Sequence, residues 1–139
     1  VAFLTLGDPT VYSTYLYVHK RIAERGYEAK IVSGITSFCA VAARLNMGLV
    51  EMAEPLHVIP ATYNADTMDD ILKLPGTKVL MKTGKKLKQV RESILESGQA
   101  AVMIEDCGMP TEKIYTSAEE IPEQSGYYSL IIAKEKKTL

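Results

Sequence analysis

The feature that most restricts what this chain can fold into is its alternation of short apolar runs with stretches of helical period. Val1–Leu6, VAFLTL, is almost wholly apolar, as a parallel strand covered on both faces requires, and Gly7, Asp8 and Pro9 stop it. Val11, Tyr15, Val18 and Ile22 then fall on one helical stripe with Tyr12, Leu16 and Ala23 beside it, and Gly26 supplies a helix stop. Tyr27–Val32 predicts a second strand, Ser33 and Gly34 a turn, and Ser37–Leu45, SFCAVAARL, a small-residue helix able to pack closely on a sheet. The order β-α-β-α predicts a parallel sheet with crossover helices.

From Val50 to Pro55 the period is lost, and Glu51, Glu54 and Pro55 mark a linker. Beyond it, Leu56–Ile59 predicts a short strand, and Pro60–Asn64 a polar loop. Asp66 is placed to cap a helix running to Leu72, and Lys78–Met81 predicts the next strand. Thr83 and Gly84 open a helix with the apolar stripe Leu87, Val90, Ile94 and Leu95, ending at Ser97 and Gly98, and Ala100–Ile104 follows as a strand. Lys113–Thr116 and Tyr127–Ala133 are β-rich and separated by Pro122 and Gly126, so this half is expected to hold a mixed sheet. The fold class is α/β, and the linker divides the chain into residues 1–55 and 56–139.

With 47% apolar and 24% charged residues the chain has the makeup of a soluble globular protein with a core of its own. Sixteen Lys and Arg against 17 Asp and Glu leave a net charge of -1, without the basic field that nucleic-acid binding needs. Cys39 and Cys107 form no CxxC pair, so neither a zinc cage nor a disulfide framework is expected, and reduced thiols in a cytoplasm fit. No run approaches the roughly 20 apolar residues of a membrane span, and no leader pattern opens the sequence. The chain starts inside a predicted strand with no Met before it, as a cut end would.

Ligands of open α/β sheets bind beyond the carboxyl ends of the strands, which makes the loops after each strand the informative ones. In Leu6–Gly7–Asp8–Pro9–Thr10 a glycine lets another molecule approach the backbone and Asp8 sets a carboxylate at a helix start; an Asp-Pro helix start explains the same residues. Ser33–Gly34–Ile35–Thr36–Ser37 offers amides and hydroxyls to a ligand's carboxylate, or merely an N-cap. Lys82–Thr83–Gly84 and Glu105–Asp106–Cys107–Gly108 follow two further strands, and neither matches a phosphate-loop or dinucleotide fingerprint.

Taken together, LTLGDPTVYS, VSGITSFCAVAARLNMGL, VIPATYN and VLMKTG resemble the tetrapyrrole (corrin/porphyrin) methylases of cobalamin biosynthesis. GDPTVYS and SFCAVAARL are most similar to the branch that methylates C20 of precorrin-2 or cobalt-factor II. The resemblance implies two α/β domains, with residues 1–55 the C-terminal half of the first and 56–139 the second, S-adenosylmethionine (SAM) as co-substrate folded between them, a homodimer, and a first strand and glycine-rich loop ahead of Val1. Without that loop this stretch is expected to be inactive. Residue by residue, the resemblance implies that Leu6, Gly7, Asp8 and Val11 hold SAM, with Asp8 meeting its ammonium. It implies the same for Thr36 and Ser37, where many members have Thr-Ala, and for Met81 and Gly108 in the second domain.

The reaction implied is an in-line transfer of the sulfonium methyl to a ring carbon held at roughly 3 to 3.5 Å. Tyr12, Tyr63 and His57 are candidates for the cleft, but the residues do not identify the base, and a tyrosine there is as readily rim or core. A tetrapyrrole bears many carboxylates. Tyr12 and Lys82 are the expected substrate contacts, with Lys85, Lys86, Lys88 and Arg91 nearby in a cluster that a solvated helix face also explains. His19 reads as a surface or boundary residue, and with no second ligand at metal spacing beside His57 no metal is expected. A sibling methylase acting on another ring carbon would share these loops, and a non-catalytic metabolite-binding module would lack SAM binding altogether.

Overall fold

The computed structural model describes residues 1–136. The chain divides into two compact units, Val1–Ala40 and Val41–Leu139. In the first, the chain turns through Gly7–Ser13 into α1 (Tyr15–Glu24) and then reaches the start of α2 (Ser37–Arg44). Tyr15, the buried residue of α1, stacks on Phe3 with ring centroids 5.2 Å apart, and its hydroxyl lies 3.2 Å from His19 Nδ1. Val11 precedes the helix rather than riding on it, so the apolar stripe is shorter than its sequence spacing suggests.

The parallel strands expected at Val1–Leu6 and Tyr27–Val32 are not formed. Both segments run without a sheet ladder, and Leu4 and Leu6 are 90% and 80% exposed. An apolar run supplies strand propensity, but a strand exists only where a neighbouring backbone takes its N–H and C=O groups, and among the described residues none does so here.

The second unit carries one open sheet of five strands: β1 (Leu56–Pro60), β2 (Thr77–Met81), β3 (Ala100–Glu105), β4 (Lys113–Tyr115) and β5 (Ser129–Lys134), in the order β1-β2-β5-β3-β4. β1 and β2 are parallel, joined through α3 (Met68–Leu72), and every other pairing is antiparallel. The mixed sheet expected for this half is therefore present, built on the expected strands. α4 (Leu87–Ser97) follows a single 3-10 turn at Gly84–Lys86 and ends as its sequence indicates, with Gly98 left-handed at φ 69°. Asp66 does not cap: its carboxylate accepts from Gln89 Nε2 at 2.9 Å, and α3 starts without a side-chain cap.

Register decides which side chains meet. Leu80 pairs with Ile131 and Ile131 with Met103, and these join Leu72, Met68, Leu87, Val90 and Ile94 in the core under α3 and α4. The alternate row, Pro60–Met81–Leu130–Ile104, lies on the opposite face. At the amino end of β2 that face is closed by polar contacts: Thr77 Oγ1 donates to Leu49 O at 2.8 Å and to Glu54 at 2.9 Å, and Lys134 Nζ to Gly48 O at 3.3 Å.

Lys78 sits on the helix-covered face, fully buried, with Gln99 Oε1 3.4 Å from its Nζ. Burial lowers its pKa against the opposing pull of Glu135 and Glu54. The unfolded chain thus binds a proton more readily than the folded one, and the unfolding free energy should rise with pH between the lowered value and 10.5. Lys78→Met should abolish that alkaline rise and leave the protein between equally stable and about 1 kcal/mol more stable at neutral pH. Urea unfolding of both proteins from neutral pH to about 10 measures this.

Candidate functional site

In the first unit the candidate residues gather around one carboxylate. Asp8 is 8% exposed, and its Oδ1 accepts the Thr10 amide at 2.9 Å and the Thr10 hydroxyl at 2.6 Å. Oδ2 accepts the Ser33 hydroxyl and the Gly34 amide, the latter at 3.2 Å. Four donors stabilise the ionised form, the Ser33 hydroxyl most and then Thr10, so the Asp8 carboxyl falls from 3.8 to about 2. The two loops approach so closely that a Cβ on Gly34 would strike the Gly7 carbonyl, and Gly7 itself is left-handed at φ 77°.

Two residues beyond Gly34, Thr36 Oγ1 is a buried hydroxyl with no hydrogen-bond partner, the one such side-chain atom among the described residues. Left unpaired by the protein, a hydroxyl at a loop that opens a helix is placed to meet a polar atom of a ligand. Leu6, next to Gly7, and Ser37, next to Thr36, are exposed, and Val11 is half-buried. The structure therefore brings Gly7, Asp8 and Thr36 into one loop pair. The residues that sequence reasoning left unassigned, Thr10 and Ser33, are the ones that hold Asp8. Ser33 and Asp8 lie 25 residues apart, a separation no local pattern reports.

In the second unit the remaining candidates lie at the carboxyl ends of β2 and β3. Met81, half-buried, is on the face away from α3 and α4, and its carbonyl accepts the Ala61 amide at 2.7 Å. Lys82 is exposed and left-handed at φ 52°, with its carbonyl taking the Thr62 amide at 3.0 Å and the Thr62 hydroxyl. Thr83, buried, lies 3.3 Å from Ser129 Oγ. Gly108 is exposed in a left-handed turn at φ 76°.

Arg91 leaves the basic cluster: its guanidinium donates to Ile121 O at 2.6 Å and Glu119 O at 3.2 Å, tying α4 to the connection before β5. His57 Nε2 donates to Pro75 O at 2.9 Å, which assigns that ring to the fold, and Tyr63 is exposed. Tyr12, left-handed at φ 52°, is partly exposed in the Asp8 loop. Among the described residues no three His, Cys, Asp or Glu side chains meet to hold a metal ion, and no helix is long and apolar enough to cross a membrane.

Residues 1–122 match the family model of tetrapyrrole (corrin/porphyrin) methylases. A "Probable cobalt-precorrin-2 C(20)-methyltransferase" of Methanocaldococcus jannaschii is 46% identical over 83 residues, 60% of this chain and 35% of that protein. A "Precorrin-2 C(20)-methyltransferase" of Sinorhizobium sp is 29% identical over 95% of this chain and 54% of its own length. The chain thus spans about half the length, or less, of these relatives. Among solved structures, a cobalt precorrin-4 methyltransferase superposes with a TM-score of 0.70 at 20% identity, over 92% of this chain and 61% of the other. A uroporphyrin-III C-methyltransferase from Thermus thermophilus, complexed with S-adenosylhomocysteine, gives 0.69 at 17%, over 94% and 64%. These two share the fold.

The Asp8 clasp makes a direct prediction. A carbon-detected NMR titration should place the Asp8 carboxyl midpoint at about 2, and Ser33→Ala should move it up toward 3.8. The stabilisation is present in full above 3.8 and lost as the pH falls to about 2, so the substitution should also shift acid unfolding of this unit to higher pH. A midpoint already near 3.8 in the unsubstituted chain would show that the clasp is absent in solution.

Proposed function

The chain belongs to the tetrapyrrole (corrin/porphyrin) methylases, and from that premise we propose that its parent protein methylates C20 of precorrin-2 or cobalt-factor II in cobalamin biosynthesis, with SAM as methyl donor. The observation that carries the reading is the pairing of an anionic Asp8 with an unpartnered, buried Thr36 hydroxyl across two glycine-bearing loops. The choice of C20 is supported by the 46% identity to the Methanocaldococcus protein.

The residues suit SAM, which carries an ammonium, a carboxylate and ribose hydroxyls. In this reading Asp8 contributes its charge, because its oxygens already accept four hydrogen bonds from Thr10, Ser33 and Gly34. Thr36 contributes its free hydroxyl and Ser37 its backbone amide at the head of α2, while Leu6, Gly7 and Val11 line the approach. Met81 and Gly108 are the assigned contacts in the second unit, and Lys82 and Tyr12 the groups that meet substrate carboxylates. Bound SAM supplies an electrophilic sulfonium methyl, and the protein's part is to hold donor and ring carbon in line. The same reading assigns residues 1–55 to one domain and 56–139 to the next.

Calorimetric titration of the full gene product with S-adenosylhomocysteine tests the cofactor assignment, and carbon-13 methyl transfer followed by NMR of the product tests the ring position. Thr36→Val should weaken S-adenosylhomocysteine binding about tenfold while leaving stability equal or higher, since it deletes an unsatisfied buried hydroxyl. A label on another ring carbon would reassign the protein to a sibling activity. No binding by the folded protein would overturn the methyltransferase reading.

A further inference from the structure

One pair outside the residues assigned above grips a loop that the proposed function uses. Glu112 closes the turn that leaves β3. Its Oε2 accepts the Gly108 amide at 2.7 Å and Arg44 Nε at 3.3 Å, and its Oε1 lies 2.6 Å from Arg44 Nη2. Arg44 is the last residue of α2 and stands 68 positions away in sequence, so this is no local helix pair. The Glu112 side chain is 14% exposed against 51% for Arg44: the carboxylate is sunk into the turn and the guanidinium lies outside it. An ordinary surface ion pair contributes little, but a two-point guanidinium contact on a carboxylate that also holds a backbone amide selects one geometry.

The turn needs such selection. Asp106 and Gly108 are left-handed, at φ 50° and 76°, a conformation uncommon outside glycine although Asp is among the residues that adopt it most readily. Further bonds run through it: Asp106 N–H to Tyr128 O at 2.8 Å, Met109 N–H to Asp106 O at 2.9 Å, and Thr111 Oγ1 to Asp106 Oδ2 at 2.8 Å. On its other side Gly108 is open, since a Cβ placed there would meet nothing within 4 Å. The turn is thus anchored from one side and clear on the other. The Gly108 amide is also the chief influence holding the Glu112 carboxyl below its usual range, so Glu112 is ionised at neutral pH. Cys107, in the same turn, is pushed up by burial and then by the Glu112 charge, and remains a thiol.

We propose that Glu112 and Arg44 are positioning residues that fix the Gly108 turn in the conformation that receives SAM, touching neither donor nor substrate themselves. This rests on the assignment of Gly108 under the proposed function.

The test uses the full gene product with Glu112→Ala, Glu112→Gln and Arg44→Ala, reading S-adenosylhomocysteine affinity, the SAM KM against kcat, and hydrogen exchange of the Gly108 amide in the ligand-free protein. Glu112→Ala should speed Gly108 exchange and weaken binding about tenfold, with KM rising more than kcat falls. Glu112→Gln keeps an oxygen for the Gly108 amide and should recover most of both losses, while Arg44→Ala should fall between. Affinity within about twofold of the unsubstituted protein for Glu112→Ala would overturn the inference. So would equal losses in Glu112→Gln and Glu112→Ala, which would mark a general folding role. If the unsubstituted protein binds no S-adenosylhomocysteine, the reading under the proposed function fails and this inference with it. Gly108 exchange, slow or fast, would then still show whether Glu112 holds the turn.

Discussion

The insertion of β5 between β2 and β3 is the interaction on which the second unit depends. β1 and β2 come from one stretch of chain and β3 and β4 from another, and the last strand in sequence supplies the hydrogen bonds that join them. Ile131 is placed by this between Leu80 and Met103, and Ala133 between Lys78 and Ala101, so the face that α3 and α4 cover is continuous only once β5 has docked. Contacts at such separation bring their energy late, after most of the loop-closure entropy has been lost. The core and the carboxyl-end loops therefore form together.

Those loops carry the candidate chemistry, and backbone conformation is what they have in common. Gly7, Lys82, Asp106 and Gly108 all lie in the left-handed region, each just past an extended run or strand. A reversal of this kind turns the peptide planes away from the sheet and leaves amides and carbonyls for side chains or ligand to satisfy. Asp8 and Glu112 solve the same problem in the two units. Each carboxylate accepts a glycine amide, Gly34 in one and Gly108 in the other, and is itself held by further donors. The difference is in what remains open: beside Gly34 the buried Thr36 hydroxyl is unpaired, whereas beside Gly108 there is only clear space.

Buried charge is handled by burial depth. Lys134 and Glu54 face each other at 3.9 Å and each has a further partner, the Gly48 carbonyl for the ammonium and the Thr77 hydroxyl for the carboxylate. Lys78, on the helix-covered face, has the amide oxygen of Gln99, whose own Nε2 is committed to Leu72 O. A cation so placed costs stability, and only the register of β2, with Leu80 and Val79 required on opposite faces, keeps it there.

Much of this was legible in the residues. The strands from Leu56 to Ala133, the stripe of α4 and its Gly98 stop follow from periodicity and glycine placement, because those signals are local. The motifs around Asp8 and Thr36 likewise pointed to the family to which the chain belongs. What the sequence could not decide was pairing. VAFLTL has every property of a strand and is not one here, since a strand needs a neighbour that propensity does not supply. Ser33 on Asp8, Arg44 on Glu112 and β5 between β2 and β3 join residues from 25 to 68 positions apart, or strands out of chain order, and only the folded chain brings them within hydrogen-bond reach. A pattern of side chains states which groups each segment must satisfy, and the tertiary structure alone decides which partner satisfies them.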